Sequence, residues 1–187
     1  AGLRQPKTSY VKTFKNIDVS LNDIGNKFPI ILKTMDGAAG IGVSFIESKK
    51  NLISTLQMMD KLKPKRSVII QEYIKVDYDV RVFVLNNEIV AQIKRPIPED
   101  DFRGNISQGN VAKKIELTEL EKTECIKAAK SVKGMMVGVD FLPSKNREKE
   151  KPYFLEVNVS PGTSYINELN DINIHKIILN TFKNRDN

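Results

Sequence analysis

Short runs in which apolar and polar positions alternate, or in which apolar residues simply accumulate, set the organisation of this chain. Residues 28–33 (FPIILK), 43–47 (VSFIE) and 67–73 (SVIIQEY) read as strands. Residues 78–85 and 88–94 read as a hairpin through Asn86-Asn87, a pair that tolerates positive φ. Gly138–Leu142 and Tyr153–Ser160 are further strands. Between them lie helical patterns. Ser20 is placed as the cap of a short helix carrying Leu21 and Ile24, and Ser48 as the cap of one through Leu62 with Leu52, Ile53, Leu56 and Met59 as its apolar stripe. Thr118 and Glu121 form a capping box for a helix ending near Gly134. A last amphipathic helix carries Ile174, Ile177, Ile178 and Phe182. Arg95-Pro96-Ile97-Pro98 is expected to leave the sheet, and residues 99–110 read as a long loop with Arg103, Asn105 and Gly109.

The stretch YFLEVNVSPG, Tyr153 to Gly162, carries the clearest candidate chemistry. As a strand it puts Phe154, Glu156, Asn158 and Ser160 on one side and the apolar Leu155, Val157 and Val159 on the other, facing a core. Glu156 and Asn158 then lie about 7 Å apart on one face. Their hard oxygen donors suit Mg²⁺ and suit zinc poorly. The polar run PSKNREKEKP before Tyr153 reads as an exposed hairpin loop. A hairpin centred on Glu148 places Asp140 opposite Glu156 and Gly138 opposite Asn158, where the missing side chain leaves room for an ion. Asp140, Glu156 and Asn158 would converge as metal ligands. The alternative is a hairpin with solvated polar residues on its outer face.

The glycine-rich segment TMDGAAGIGVSFIES, with Gly37, Gly40 and Gly42, runs from one strand into another. Rossmann and P-loop glycines lead into a helix instead, and no Gly-Lys-Ser/Thr ending follows. The segment is therefore read as a hairpin flap whose backbone N–H groups can approach phosphate oxygens. Lys33 ends the preceding strand and can reach phosphate as a point charge. Asp79 and Arg81 share one face of their strand, either as an exposed pair or lining a cleft.

A length of 187 residues suits one domain or two small lobes, and 40% hydrophobic with 28% charged residues is ordinary for a globular chain. No apolar run approaches a membrane span and no signal peptide is visible, so a cytoplasmic location is expected. A single cysteine, Cys125, excludes an intramolecular disulfide, and a single histidine, His175, excludes a histidine-rich metal site. No nucleophile elbow accompanies His175, which is read as structural. The net charge of +7 favours anionic partners, nucleotides or acidic peptides foremost. Nucleic acid ranks low, because no aromatic stacking motif is interleaved with the basic residues.

Taken in order, FPIILK, GAAGIGV, IIQEYIK, YDVRVFV, EIVAQIKR, DDFRGNISQG, VGVDFL and FLEVNVSPG resemble the ATP-grasp superfamily, and within it the RimK-like glutamate ligases, over most of residues 1–165. The resemblance implies an α+β fold of two lobes with mainly antiparallel sheets gripping the nucleotide between them, a smaller lobe over 1–72 with the flap and a larger one over 73–187 with the metal site. It implies that Lys33 contacts ATP phosphates, that Glu72 and Tyr73 border the adenine largely through backbone groups, and that Asp79 lies near the ribose. Arg103 and Asn105 match residues beside the phosphates and the transferred group. Asp140, Glu156 and Asn158 match the three Mg²⁺ ligands, with Mn²⁺ an alternative ion. Arg81 and Arg95 fall at basic positions assigned to phosphate or carboxylate binding. The flap departs from the family at Ala38 and Ala39, and the Gly-Gly pair after the Arg/Asn loop is Gly109-Asn110. Relatives carry an N-terminal domain before the segment matching AGLRQPKT, so the chain is expected to be the ATP-binding half of such a ligase, with that domain absent.

The function expected from this resemblance is an ATP- and Mg²⁺-dependent carboxylate–amine ligase that adds glutamate or a similar amino acid to a peptide or small carboxylate acceptor. The γ-phosphoryl group would pass to the carboxylate and an amine would displace it, with Arg103 and Arg95 stabilising the oxyanion and the departing phosphate. Two other readings stand beside it. A kinase-like phosphotransferase would share the flap, lysine and metal ligands, but the His-Arg-Asp and Asp-Phe-Gly segments of protein kinases are missing. A non-catalytic Mg-ATP-binding module would bind without turnover. Self-association into a homo-oligomer is compatible with either.

Overall fold

The computed structural model describes residues 1–11, 16–35, 41–62, 67–104, 111–163 and 166–183. The chain separates into two compact units, Pro6–Lys75 and a larger one made of Ala1–Gln5 with Val76–Asn187. This division differs from the expected 1–72 and 73–187 at both ends. Residues 1–5 join the larger unit because Leu3 packs against its core and Phe154 N donates to Arg4 O at 2.9 Å.

The smaller unit contains strands β1 (Thr8–Val11), β2 (Ile30–Thr34), β3 (Val43–Ile46) and β4 (Val68–Glu72), with helices α1 (Ile17–Asp23) and α2 (Lys49–Leu62). Its sheet has the order β1-β4-β2-β3, and all its pairings are antiparallel. Leu21, Ile30, Leu32, Leu52 and Ile70 form the centre of its core. The apolar stripe expected of α2 is the face it buries, and Ser48 Oγ accepts from Asn51 N at 3.2 Å as its cap. Ser20 is not a cap. It lies inside α1, where its hydroxyl donates to Tyr10 O at 3.2 Å. A side chain turned onto the backbone of β1 is a second use for a short hydroxyl, one that sequence pattern does not separate from capping.

The larger unit contains β5 (Tyr78–Leu85), β6 (Glu88–Pro96), β7 (Lys113–Lys114), α3 (Glu119–Ser131), β8 (Met136–Leu142), β9 (Tyr153–Asn158), α4 (Ile166–Asn170) and α5 (Ile174–Lys183). The sheet order is β7-β6-β5-β8-β9, again antiparallel. Asn86 and Asn87 make the β5–β6 turn with φ of 50° and 66°. Thr118 and Glu121 form the expected capping box on α3. One sheet face packs Val80, Val82, Val139 and Phe141 against Cys125 and Ala128 of α3. Phe83, Ala91, Ile166 and Ile174 form a second, smaller cluster. Phe182, expected in the stripe of the last helix, is 49% exposed; only the first turn of α5, at Ile174, is fully covered.

Two bulges interrupt the pairing of this sheet. One in the β5–β6 pairing between Phe83 and Val84 brings Asp79 opposite Arg95. The strand continues through Pro96, which pairs with Tyr78, so Arg95 lies in the sheet and does not lead out of it. The other bulge shifts the β8–β9 register between Asp140 and Phe141, so that Phe141 faces Phe154 and Leu155 is the extra residue. Side-chain parity flips there. Phe154 joins the core and Leu155 does not, while Val159, expected inward, is 59% exposed beyond the end of β9.

Candidate functional site

Asp140 on β8 stands opposite Glu156 on β9 and opposite Arg81 on β5, so one cross-strand row reads Arg81–Asp140–Glu156. Neighbouring strands lie about 5 Å apart, which brings these groups within direct electrostatic reach. Arg81 grips Asp140 with both ends of its fork, Nε to Oδ1 at 2.8 Å and Nη2 to Oδ2 at 2.5 Å. Arg95 reaches the same carboxylate from β6, Nη2 to Oδ1 at 3.2 Å, and donates from Nε to Asp79 Oδ1 at 2.5 Å. Asp79, Arg95 and Asp140 are all buried. Such a cluster persists only because each charge has partners, since isolated ions pay heavily for leaving water.

The cluster perturbs its own members. Burial pushes Asp79 up to about 6, even though Arg95 pulls the other way. The hydrogen bonds to Asp140 hold Arg81 above the usual arginine range. Glu156 is different. Its side chain is exposed and, among the described residues, makes no hydrogen bond. Asn158 sits one row along, opposite Gly138, and its Oδ1 accepts from Ser160 N at 2.8 Å.

The space over Gly138 does not hold room for an ion. The turn after β9 folds Pro161 back over it, and a Cβ at Gly138 would lie 2.7 Å from Pro161 Cβ. The glycine is there for the close approach of that turn. Among the described residues no group of three or more His, Cys, Asp or Glu could hold a metal. The donors that do lie together are two carboxylates in adjacent register and one amide. All are hard oxygen donors and fit Mg²⁺, with one carboxylate solvent-exposed and the other anchored by guanidinium groups.

Arg103 forms a two-pronged pair with Asp101, Nε to Oδ1 and Nη2 to Oδ2 both at 3.0 Å, and lies over the Phe102 ring. The pair holds Asp101 below and Arg103 above their usual ranges. Gly104 follows, and a Cβ there would come within 2.8 Å of both Arg95 O and Asp79 Oδ2. The Arg103 loop thus rests directly on the Asp79–Arg95 pair, and this seat is what sequence reasoning missed. Asn105 lies outside the described residues, as do Gly37 and Gly40.

In the smaller unit Lys33 points along the face of Gln71, its Nζ donating to Gln71 Oε1 at 2.7 Å. The β2–β3 pairing sets the hairpin expected around the glycines, with Lys33 opposite Val43 and Thr34 N donating to Gly42 O at 2.9 Å. Gly42 has φ +85°, and a Cβ would also strike Thr34 Oγ1, so glycine is required for the backbone alone. Glu72 Oε1 accepts from Lys7 N at 2.8 Å. Tyr73 packs edge-on against Phe45 at 5.0 Å. Glu72 and Tyr73 line a cavity of about 260 Å³ together with Lys7, Lys27 and Phe28.

A family model described as the RimK-like ATP-grasp domain matches residues 1–182. A probable alpha-L-glutamate ligase from Shewanella amazonensis is 33% identical over 180 residues, covering 95% of this chain and 58% of the relative. One from Trichodesmium erythraeum is 34% identical over 175 residues, 92% of this chain and 56% of the relative. The chain therefore spans less than two thirds of the length of these relatives. Among solved structures, the ATP-grasp ligase PsnB with its minimal precursor, Mg and ADP superposes with a TM-score of 0.70 at 18% identity, covering 96% of this chain and 53% of PsnB. The D-alanine–D-alanine ligase of Bacillus anthracis with ATP gives 0.63 at 23% identity, covering 87% and 50%. These two likenesses establish the ATP-grasp fold.

Proposed function

The chain belongs to the RimK-like ATP-grasp family, and on that premise we propose that it binds nucleotide and metal for a carboxylate–amine ligase acting through an acyl phosphate. The observation that carries this reading is the row Arg81–Asp140–Glu156 with Asn158 beside it. It is an oxygen-donor face on a sheet whose strands carry no serine, threonine, cysteine or histidine. A reaction that proceeds by phosphoryl transfer and amine attack needs none of these.

Asp140, Glu156 and Asn158 would hold the metal ion. When bound, Mg²⁺ neutralises charge on the phosphates. Lys33 supplies a point charge for phosphate and the backbone at Gly42 an approach without a Cβ. The cavity beside Glu72 and Tyr73 is read as the adenine side. Arg103 is the cation for the oxyanion and the departing phosphate. Its pair with Asp101 is partly exposed and of low cost to open. Arg95, expected in the same role, is buried between two aspartates and is reassigned to holding them in place. Asp79 goes with it; buried against Arg95 and beneath Gly104, it supports the Arg103 loop. The curated relatives' names, alpha-L-glutamate ligase, support glutamate as the amino acid added, and a peptide or small carboxylate is the acceptor we propose.

The test is a product assay on a panel of amino acids and acidic peptides with Mg-ATP. ADP release that requires both a carboxylate and an amine supports ligation. A stable phosphorylated product, or nucleotide binding with no ADP released under any mixture, overturns it.

A further inference from the structure

Arg81 sits where a cation site least tolerates a second cation. Both oxygens of Asp140 are taken by its fork, at 2.8 and 2.5 Å, and Oδ1 also receives Arg95 at 3.2 Å. Three carboxylates, Asp79, Asp140 and Glu156, face two guanidinium groups, so the cluster carries a formal charge of −1. Of the three, only Glu156 presents a carboxylate without a hydrogen bond among the described residues. A divalent ion that used Asp140 would share that carboxylate with Arg81 at close range, in a partly buried setting where like charges repel strongly. The donor chemistry fits the ion, and the guanidinium already seated on both oxygens of Asp140 opposes it. A polyanion bound at the same face removes the conflict.

We propose that Arg81 makes metal binding at Asp140, Glu156 and Asn158 conditional on the nucleotide. This rests on the metal-site reading given above. Without phosphates, the Arg81 guanidinium neutralises Asp140 and keeps a lone divalent ion out. With them, the negative charge of the phosphates balances Arg81, and the ion enters together with the nucleotide. Arg81 is a positioning residue that acts through Asp140. By linkage, the metal strengthens nucleotide binding by the same factor that the nucleotide strengthens metal binding.

The experiment measures Mn²⁺ binding to the full chain by the loss of the free-ion signal in electron paramagnetic resonance. Binding of a non-hydrolysable ATP analogue is measured by calorimetry with and without Mn²⁺. Wild type is expected to bind Mn²⁺ alone weakly, with Kd above about 1 mM, and to gain about 10- to 100-fold in analogue affinity when Mn²⁺ is added. Arg81→Gln is expected to bind Mn²⁺ alone about tenfold more tightly than wild type, and Glu156→Gln on that background to cancel the gain. Arg81→Lys keeps the charge and is expected to stay as weak as wild type. Tight Mn²⁺ binding by wild type without nucleotide overturns the proposal, and this measurement needs no variant to fold. An Arg81→Gln chain that melts normally but binds Mn²⁺ no better than wild type also overturns it. If Mn²⁺ still strengthens analogue binding to wild type in that case, the metal site itself survives. If Mn²⁺ changes analogue binding in no chain, both readings fail together.

Discussion

Arg95 bridges two buried carboxylates, bonding Asp79 from Nε at 2.5 Å and Asp140 from Nη2 at 3.2 Å. Removing the guanidinium leaves both acids facing a low-dielectric interior with one partner fewer. Arg95→Met is expected to lower stability by roughly 3–5 kcal/mol, the cost typical of breaking a buried pair from one side. Urea denaturation measures it. A loss below about 1 kcal/mol would mean the bridge is solvated in solution.

Asp79 makes stability depend on pH in an unusual direction. Its folded value of about 6 lies above the ordinary 3.8, so between those limits the folded chain holds a proton the unfolded chain has released. The stabilisation is complete below about pH 4 and is lost as pH rises through about 6. The size is roughly 3 kcal/mol, because each tenfold gain in proton affinity on folding is worth about 1.4 kcal/mol. Unfolding free energies in chelator at pH 4.5 and pH 7 should fall with pH in wild type. The fall should be smaller in Asp79→Asn, and equal slopes would sink the assignment.

The Asp79–Arg95 pair also shows where reading the sequence stops. The Asn86-Asn87 turn correctly fixes Leu85 opposite Glu88, and counting outward from it sets Asp79 against Lys94. The bulge at Phe83/Val84 adds one residue and brings Arg95 there instead. Nothing in the local composition announces that bulge. On β8–β9 the same kind of irregularity was harmless at the site: Asp140 opposite Glu156 and Gly138 opposite Asn158 follow from a hairpin centred on Glu148, and only the residues nearer the loop are displaced. The strands, the capping box and the row of oxygen donors were legible because alternation, short polar caps and turn residues are local signals. The guanidinium groups that saturate Asp140 were not, because they depend on register across three strands.

The Glu156 side chain is exposed and, among the described residues, makes no hydrogen bond, so its charge contributes little to the fold. Glu156→Gln is expected to weaken Mg²⁺-dependent nucleotide binding at least tenfold while moving stability by less than about 0.5 kcal/mol. Calorimetric titration with and without Mg²⁺ checks the first expectation and thermal melting the second. An equal loss of fold would assign Glu156 to the hairpin alone.

Lys33 gives a complementary contrast. Its Nζ donates to Gln71 Oε1 at 2.7 Å. Lys33→Ala should reduce ATP affinity by about 10- to 100-fold, since a charge-assisted bond to phosphate is worth about 1.5–3 kcal/mol, and should leave adenosine affinity within about twofold. Competition binding with the two ligands decides it. A matched loss for both would remove Lys33 from the phosphate site.

Gly138 tests how the turn beyond β9 is seated. The Cβ of Pro161 lies 2.7 Å from where a Cβ on residue 138 would be, whereas a Cβ on Gly162 would meet nothing within 4 Å. Gly138→Ala must therefore push Pro161 outward, which is expected to cost about 1–3 kcal/mol, while Gly162→Ala is expected to be neutral or slightly stabilising. The displaced turn carries Ser160, whose N–H holds Asn158 Oδ1 at 2.8 Å, so Gly138→Ala should also weaken metal-dependent nucleotide binding. Pro161→Gly removes the obstructing carbon. If the contact is the cause, Pro161→Gly should restore most of both losses when combined with Gly138→Ala, apart from the roughly 0.5–1 kcal/mol a new glycine costs through the unfolded chain. Strictly additive losses in the double variant would place the role of Gly138 elsewhere than under Pro161.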